Sequence, residues 1–296
     1  MSAAKANLEV LPRGVQVALV LGLIALVAFP FTGTDFYVQM VTRMMIMAIF
    51  AMSLDLLQGV TGLVSLGHAA YFGLAGYALA FLMPQDQAVS LWWTLPLAVL
   101  ASALGAFIIG IFVVRTHGIY FIMVTMAFAQ MIFYLFFDNK ALGGSDGLYI
   151  NFKPDVSLFG WTPAAWWDLE NKRTLYYFTL AGALAGLAGY LWGTQTGYIN
   201  PELMGFHMSA HAIMMVILGG MGNFAGAIVG AFAFEYLLHV FKDLPRIGSV
   251  NLGKHWQLWM GLFIVLLVTF APRGILGLVE KFTQRKDKNK AEAGHE

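Results

Sequence analysis

Residues 93–114 read WTLPLAVLASALGAFIIGIFVV, twenty-two positions without an Asp, Glu, Lys or Arg. A helix rises about 1.5 Å per residue and the hydrocarbon core of a bilayer is about 30 Å thick, so this run is long enough to cross it. Trp92 and Trp93 stand at its start, where aromatic rings anchor a span at the membrane interface. Everything else in the chain has to be compatible with a helix that lives in lipid.

The composition is compatible. Of 296 residues, 59% are hydrophobic and 11% charged, with 17 Lys+Arg against 16 Asp+Glu. Mean hydropathy is +0.72. A soluble domain carries about 25% charged residues, so a cytosolic enzyme, a disordered chain and a nucleic-acid binder are all excluded. The apolar content allows about eight to ten spans at about 20 residues each. Thirty-two Gly suit membrane helices, which pack through small residues. The absence of Cys rules out disulfides, thiolate metal sites and Cys nucleophiles. The expected fold is all-α: one polytopic transmembrane domain over 1–296, with about nine to ten helices, some short or broken.

Upstream of the opening run, Lys5 and Arg13 precede an apolar segment, Val15–Phe31. Ala28-Phe29-Pro30 offers no small-x-small cleavage site, so it reads as a retained span rather than a signal peptide. Further spans are expected at Met44–Gln58 and Leu63–Met83, and downstream at Ile119–Phe137. A polar loop of 36 residues follows, 138–173, with a turn cluster at Gly143, Gly144, Ser145, Asp146 and Gly147. A connection of that length is more than a linker and reads as a docking surface. Thr174–Ile199 forms the next segment. The 35 residues from His207 to Phe241 are too many for one span, and Gly219-Gly220-Met221-Gly222-Asn223 divides them. Leu258–Phe270 closes the set at Pro272, leaving a basic tail, 273–296, with six Lys/Arg.

Ionisable and polar groups inside spans are functional candidates by default. Asp55 and Gln58 lie three apart and share a helix face. Either they line a translocation path, or Asp55 pairs with a neighbouring helix end. His68 sits between small residues, where it lines a path or hydrogen-bonds a carbonyl at a helix break. Gln130 is the one amide of its span, and an interhelical hydrogen bond would also explain it. His207 and His211 lie four apart, as do Glu235 and His239, a spacing that can share zinc. No carboxylate is fixed beside the pair, and the Met residues scatter as packing, so no metal site is assigned. Gly222, Gly226 and Gly230 recur every four residues, a small-xxx-small ridge for helix packing within the chain or against a second subunit. Gly59-Val60-Thr61-Gly62 lacks the Lys of a phosphate-binding loop. Catalysis is not indicated, and no cofactor is expected in this chain.

Several ordered blocks resemble one family. Asp55-Leu56-Leu57-Gln58-Gly59-Val60-Thr61-Gly62-Leu63-Val64-Ser65-Leu66-Gly67-His68 resembles the signature of permeases of branched-chain amino acid ABC importers, and more narrowly the LivM-like permeases. Arg115-Thr116-His117-Gly118-Ile119, Gly143-Gly144-Ser145-Asp146-Gly147, Leu218-Gly219-Gly220-Met221-Gly222-Asn223 and Ala271-Pro272-Arg273-Gly274 resemble its further blocks. The resemblance implies a multi-pass protein of the bacterial inner membrane. It implies a second, LivH-like permease, two LivG/LivF-like ATPase subunits holding ATP and Mg, and a periplasmic binding protein that delivers the substrate. Branched-chain amino acids, urea, short amides and aromatic acids all fall within it. Asp55, Gln58, Ser65, His68 and Gln130 become path candidates, and Gly143, Gly144, Ser145 and Asp146 docking candidates on a periplasmic loop. A secondary transporter driven by an ion gradient is the alternative. Its uptake would survive loss of ATP.

One departure stands out. The family pattern places a half-span, a basic ATPase-docking loop and another half-span before the block that Phe178-Thr179-Leu180-Ala181-Gly182-Ala183 resembles. Here Asn171–Tyr177 runs directly into it. The nine segments counted above put the termini on opposite sides, which conflicts with a periplasmic loop and a cytoplasmic basic tail under the positive-inside tendency. A further span would reconcile them, so a segment is expected to be missing near Phe178–Ala183.

Overall fold

The computed structural model describes residues 13–156, apart from Gly33, Gln85 and Val114, and residues 188–277, apart from 248–249, 272–273 and 276. The described residues form nine α-helices: α1 (Arg13–Thr32), α2 (Asp35–Thr61), α3 (His68–Leu82), α4 (Leu91–Val113), α5 (Ile119–Asp138), α6 (Ala188–Thr196), α7 (Phe206–Gly219), α8 (Phe224–Lys242) and α9 (Trp256–Phe270). Two short antiparallel pairs accompany them, β1 (Leu148–Tyr149) with β2 (Tyr198–Ile199) and β3 (Arg246–Ile247) with β4 (Val250–Asn251). Five helices are long and apolar enough to cross a membrane, and the spans near α1, α3 and α7 are shorter apolar helices. This is the all-α, polytopic architecture expected of the composition.

Burial divides the helices by position. The span of α2 is 67% buried, whereas that ending in α9 is 11% buried. Ile46, Phe50 and Leu54 of α2 meet Phe72, Leu191, Met215, Val216 and Phe234 from α3, α6, α7 and α8 in one core. A second core joins Tyr77 of α3, Ala98 of α4, Phe136 of α5 and Tyr190 of α6. There the Tyr190 and Thr94 hydroxyls are hydrogen-bonded at 2.7 Å. By contrast α4 exposes Leu104, Phe107, Ile108 and Phe112, and α9 exposes Leu262, Val265 and Phe270. In lipid such faces need no protein cover, because acyl chains are as apolar as leucine.

Two boundaries differ from the sequence expectation. Helix α2 begins at Asp35, nine residues before Met44, so Arg43 lies inside the helix rather than ahead of it. Asp35 favours that start, since an acidic side chain in the first turn offsets the helix dipole. At the other end Gly62, at φ 68°, closes α2 through its N–H to the Gln58 carbonyl, a left-handed cap. The third span starts at His68, not Leu63, because 62–67 is non-helical. A Cβ on Gly67 would collide with the Thr125 carbonyl of α5. The Gly220–Asn223 break falls where the glycine cluster put it, with Asn223 Oδ1 accepting the Ala225 N–H at 2.9 Å. Of the expected segment Thr174–Ile199, the described part ends in β2 rather than in helix. Phe178–Ala183, and with them the expected missing segment, lie outside the described residues, as does the tail beyond 277.

Candidate functional site

The polar groups of α2 and α3 gather at the junction between the two helices. Asp55 is 3% exposed, and its Oδ1 accepts the backbone N–H of Gly222 at 2.8 Å. The carboxylate therefore ties α2 to the turn between α7 and α8. Ser53 Oγ lies 2.8 Å from His68 Nε2 and donates to the Phe50 carbonyl at 2.7 Å. The His68 ring stacks on Phe50 with centroids 5.5 Å apart. Ser65 Oγ accepts the Gly67 N–H at 3.3 Å, and Ser209 of α7 accepts the Ala69 N–H at 3.0 Å. Among the described residues, the buried His68 Nδ1 and Gln58 Oε1 have no hydrogen-bond partner.

Gln130 is elsewhere. It lines a cleft of about 940 Å³ between α2, α5, α6 and α7, together with Arg43, Trp192, Glu202, His207 and His211. Arg43 is about 12 Å along α2 from Asp35, and Asp55 lies about 18 Å further on, so the path candidates fall at two separate levels. The guanidinium carbon of Arg43 stands 5.1 Å from the centre of the Trp192 ring, a cation–π distance. Beside it Gln195 Nε2 donates to the Gln39 carbonyl at 2.8 Å, joining α6 to the start of α2. Sequence reading missed Arg43, Trp192 and Glu202. The signal for Arg43 was present: Phe36, Tyr37, Val38, Met40 and Val41 continue the apolar run upstream of it.

The candidate docking turn reaches the same cleft. Gly143, Gly144 and Gly147 have φ of 96°, 55° and 71°, and such tight left-handed turns favour glycine. Ser145 and Asp146 are exposed, with Ser145 Oγ donating to Asp146 Oδ1 at 3.3 Å. Tyr198, a cleft residue, donates its hydroxyl to the Asp146 carbonyl at 2.8 Å. Burial first, and then the neighbouring Tyr149, Glu202 and Asp146, push the Tyr198 phenol above its ordinary value, which keeps it a donor. The described half of the loop is anchored at its far side too, since Leu91 N–H donates to the Asp155 carbonyl at 2.7 Å.

The remaining motif histidines have aromatic or acidic neighbours. His211 lies against Phe234 at 5.3 Å and Trp256 at 6.2 Å, and His239 pairs with Asp243 at 3.4 Å. Among the described residues no three His, Cys, Asp or Glu are grouped to hold a metal ion. Gly226 and Gly230 face Gly219 of α7 across the α7–α8 crossing, where a Cβ on Gly230 would meet the Met215 carbonyl. Gly222 lies in the preceding turn at φ 84°, so it contributes to the break rather than to the helix ridge.

The family model for branched-chain amino acid transport system permease components matches residues 36–160 and 170–271. The high-affinity branched-chain amino acid transport system permease protein LivM of Salmonella typhimurium is 26% identical over 86% of this chain and 73% of its own length. LivM of Escherichia coli K12 is 26% identical over 93% of this chain and 77% of its own. The permease protein LivH of the same organism is 33% identical over 35% of this chain and 31% of its own. No solved structure matches.

Proposed function

The chain belongs to the permease components of branched-chain amino acid transport systems, and from that premise we propose that it is one of two different permeases of an ATP-driven importer in the bacterial inner membrane. The observation that carries this reading is the family match over residues 36–160 and 170–271, which enters the long loop from both ends. A periplasmic binding protein docks on the 138–173 loop through the turn at Gly143, Gly144, Ser145 and Asp146. It releases a branched-chain or related amino acid toward the cleft. Two separate ATPase subunits supply ATP and Mg. Their cycle shifts the permease pair between outward and inward forms through differential binding. Asp55, Gln58, Ser65, His68 and Gln130 mark the route, with Asp55 holding the turn at Gly222 in place.

The placement of the cleft supports the direction of transfer, since Tyr198 joins its wall to Asp146 of the docking turn. The LivM alignment also runs over 341 positions, 45 more than the whole chain has residues. Segments of the relative therefore have no counterpart in this chain, as a chain that lacks the coupling segment would show.

The test is co-purification followed by reconstitution. The chain is expected to bring down a second, different permease and two ATPases. Proteoliposomes holding that complex and the binding protein should take up leucine, isoleucine or valine only with internal ATP. Uptake is measured with the chain as it stands and with the segment restored from LivM. A homodimer that transports alone, or uptake that follows an ion gradient without ATP, would sink the proposal.

A further inference from the structure

An arginine within an apolar helix needs a physical reason. Arg43 sits between Thr42 and Met44, 2% and 4% exposed, yet its own side chain is exposed. An Arg at the centre of a membrane helix costs about 2.5–3.5 kcal/mol on insertion scales. Thr42 spends its hydroxyl on the Val38 carbonyl at 2.7 Å and offers Arg43 nothing. Among the described residues Arg43 makes no ion pair. Arg43 is within electrostatic range of the Glu235 carboxylate of α8, though the two form no ion pair. Its close partner is the face of Trp192. The side chain lines the cleft.

The rest of the cleft completes a pattern. Its volume of about 940 Å³ is within the range of small-molecule sites. Glu202 and Asn200 contribute a carboxylate and an amide, and Trp192, Phe206 and Met208 contribute apolar wall. At the acidic end Asn200 Nδ2 donates to Glu202 Oε2 at 3.4 Å. A planar guanidinium binds a carboxylate through two parallel hydrogen bonds, a geometry that lysine cannot reproduce.

We propose that Arg43 is the carboxylate anchor of a substrate subsite inside the permease. The subsite takes a zwitterionic amino acid with an apolar side chain. The α-carboxylate lies on Arg43, the ammonium on Glu202, and the side chain on Trp192, Phe206 and Met208. The inference rests on the importer reading and adds a specificity-determining site to it: the permease itself, and not the binding protein alone, selects for the carboxylate.

The chain has no Cys, which permits a direct test. Met126 lines the cleft, and Met126→Cys places the chain's sole thiol there. In the assembled complex, without ATP or binding protein, leucine should slow labelling of that thiol by a charged methanethiosulfonate, whereas leucinamide and isopentylamine should not. Arg43→Gln should weaken the protection by leucine about tenfold to a hundredfold, the scale of losing a charge-assisted hydrogen-bonded pair. Arg43→Lys should recover only part of it. Equal protection with and without Arg43, or equal protection by leucine and leucinamide, overturns the inference. So does an Arg43→Gln chain that loses its second permease on purification, because Arg43 would then serve an interface. If the complex takes up amino acids but leucine leaves the thiol as reactive as before, this subsite falls and the importer reading stands. If no amino acid is taken up with the coupling segment restored, both fall.

Discussion

Asp55 shows how one side chain can hold two distant parts of a membrane protein together. Its carboxylate meets a backbone N–H 167 residues away, at 2.8 Å, in the turn between α7 and α8. A hydrogen bond to a charged acceptor is worth about 1.5–3 kcal/mol. Asp55→Ala is therefore expected to lower the melting temperature of the detergent-solubilised protein, and Asp55→Asn, which keeps an acceptor oxygen, to recover most of the loss. Identical melting in all three would show that the contact with Gly222 carries no stability. The helix face that Asp55 shares with Gln58 could be read from their spacing. Its partner could not, because nothing local to Asp55 names residue 222.

At the scale of elements, helix ends and crossings are settled by backbone approach. The first turn of α3 has no side-chain cap of its own, and Ser209 of α7 supplies the acceptor for Ala69 N–H. Ser209→Ala should cost about 0.5–2 kcal/mol, as loss of a helix N-cap does, and should speed hydrogen exchange at the start of α3 before the rest of the helix. Uniform exchange along α3 in the variant would argue against a capping role. The crossing of α7 and α8 depends on Gly219 facing Gly226 and Gly230. Gly230→Val pushes a branched side chain into the Met215 carbonyl and the Gly219 backbone, and overpacking of this kind costs about 1–3 kcal/mol. It should separate the helices enough to reduce the yield of folded protein, measured as the monodisperse fraction after extraction. Wild-type yield and melting for Gly230→Val would mean that the crossing tolerates more space than its geometry indicates.

For the whole molecule, the decisive question is coupling. The basic loop and half-spans implied by the family pattern do not appear between Asn171 and Ala183, while the LivM alignment is longer than this chain. Restoring the relative's segment is expected to raise ATP-driven uptake by the complex and to leave pairing with the second permease unchanged, since the cores of α2, α7 and α8 lie outside it. Equal ATP-driven uptake with and without the segment would show that the chain already has all it needs for coupling.

The sequence by itself determined the solvent of this protein, its helical class and most of its spans. Apolar runs such as 93–114 tolerate few alternatives in lipid, where every backbone group must be bonded within a helix. The glycine cluster at 219–223 announced its own break, because three glycines within four residues disfavour helix. Tertiary structure decided what no run length encodes. Arg43 looked like the end of a span because an isolated charge is costly in lipid, yet a cleft wall and the Trp192 face let the helix continue back to Asp35. The segment 63–67 looked like the start of α3, yet it is non-helical, and its Gly67 lies so near the Thr125 backbone of α5 that a Cβ there would collide. The pattern of a chain records the cost of each residue in a generic medium, whereas the fold replaces that medium, residue by residue, with particular neighbours.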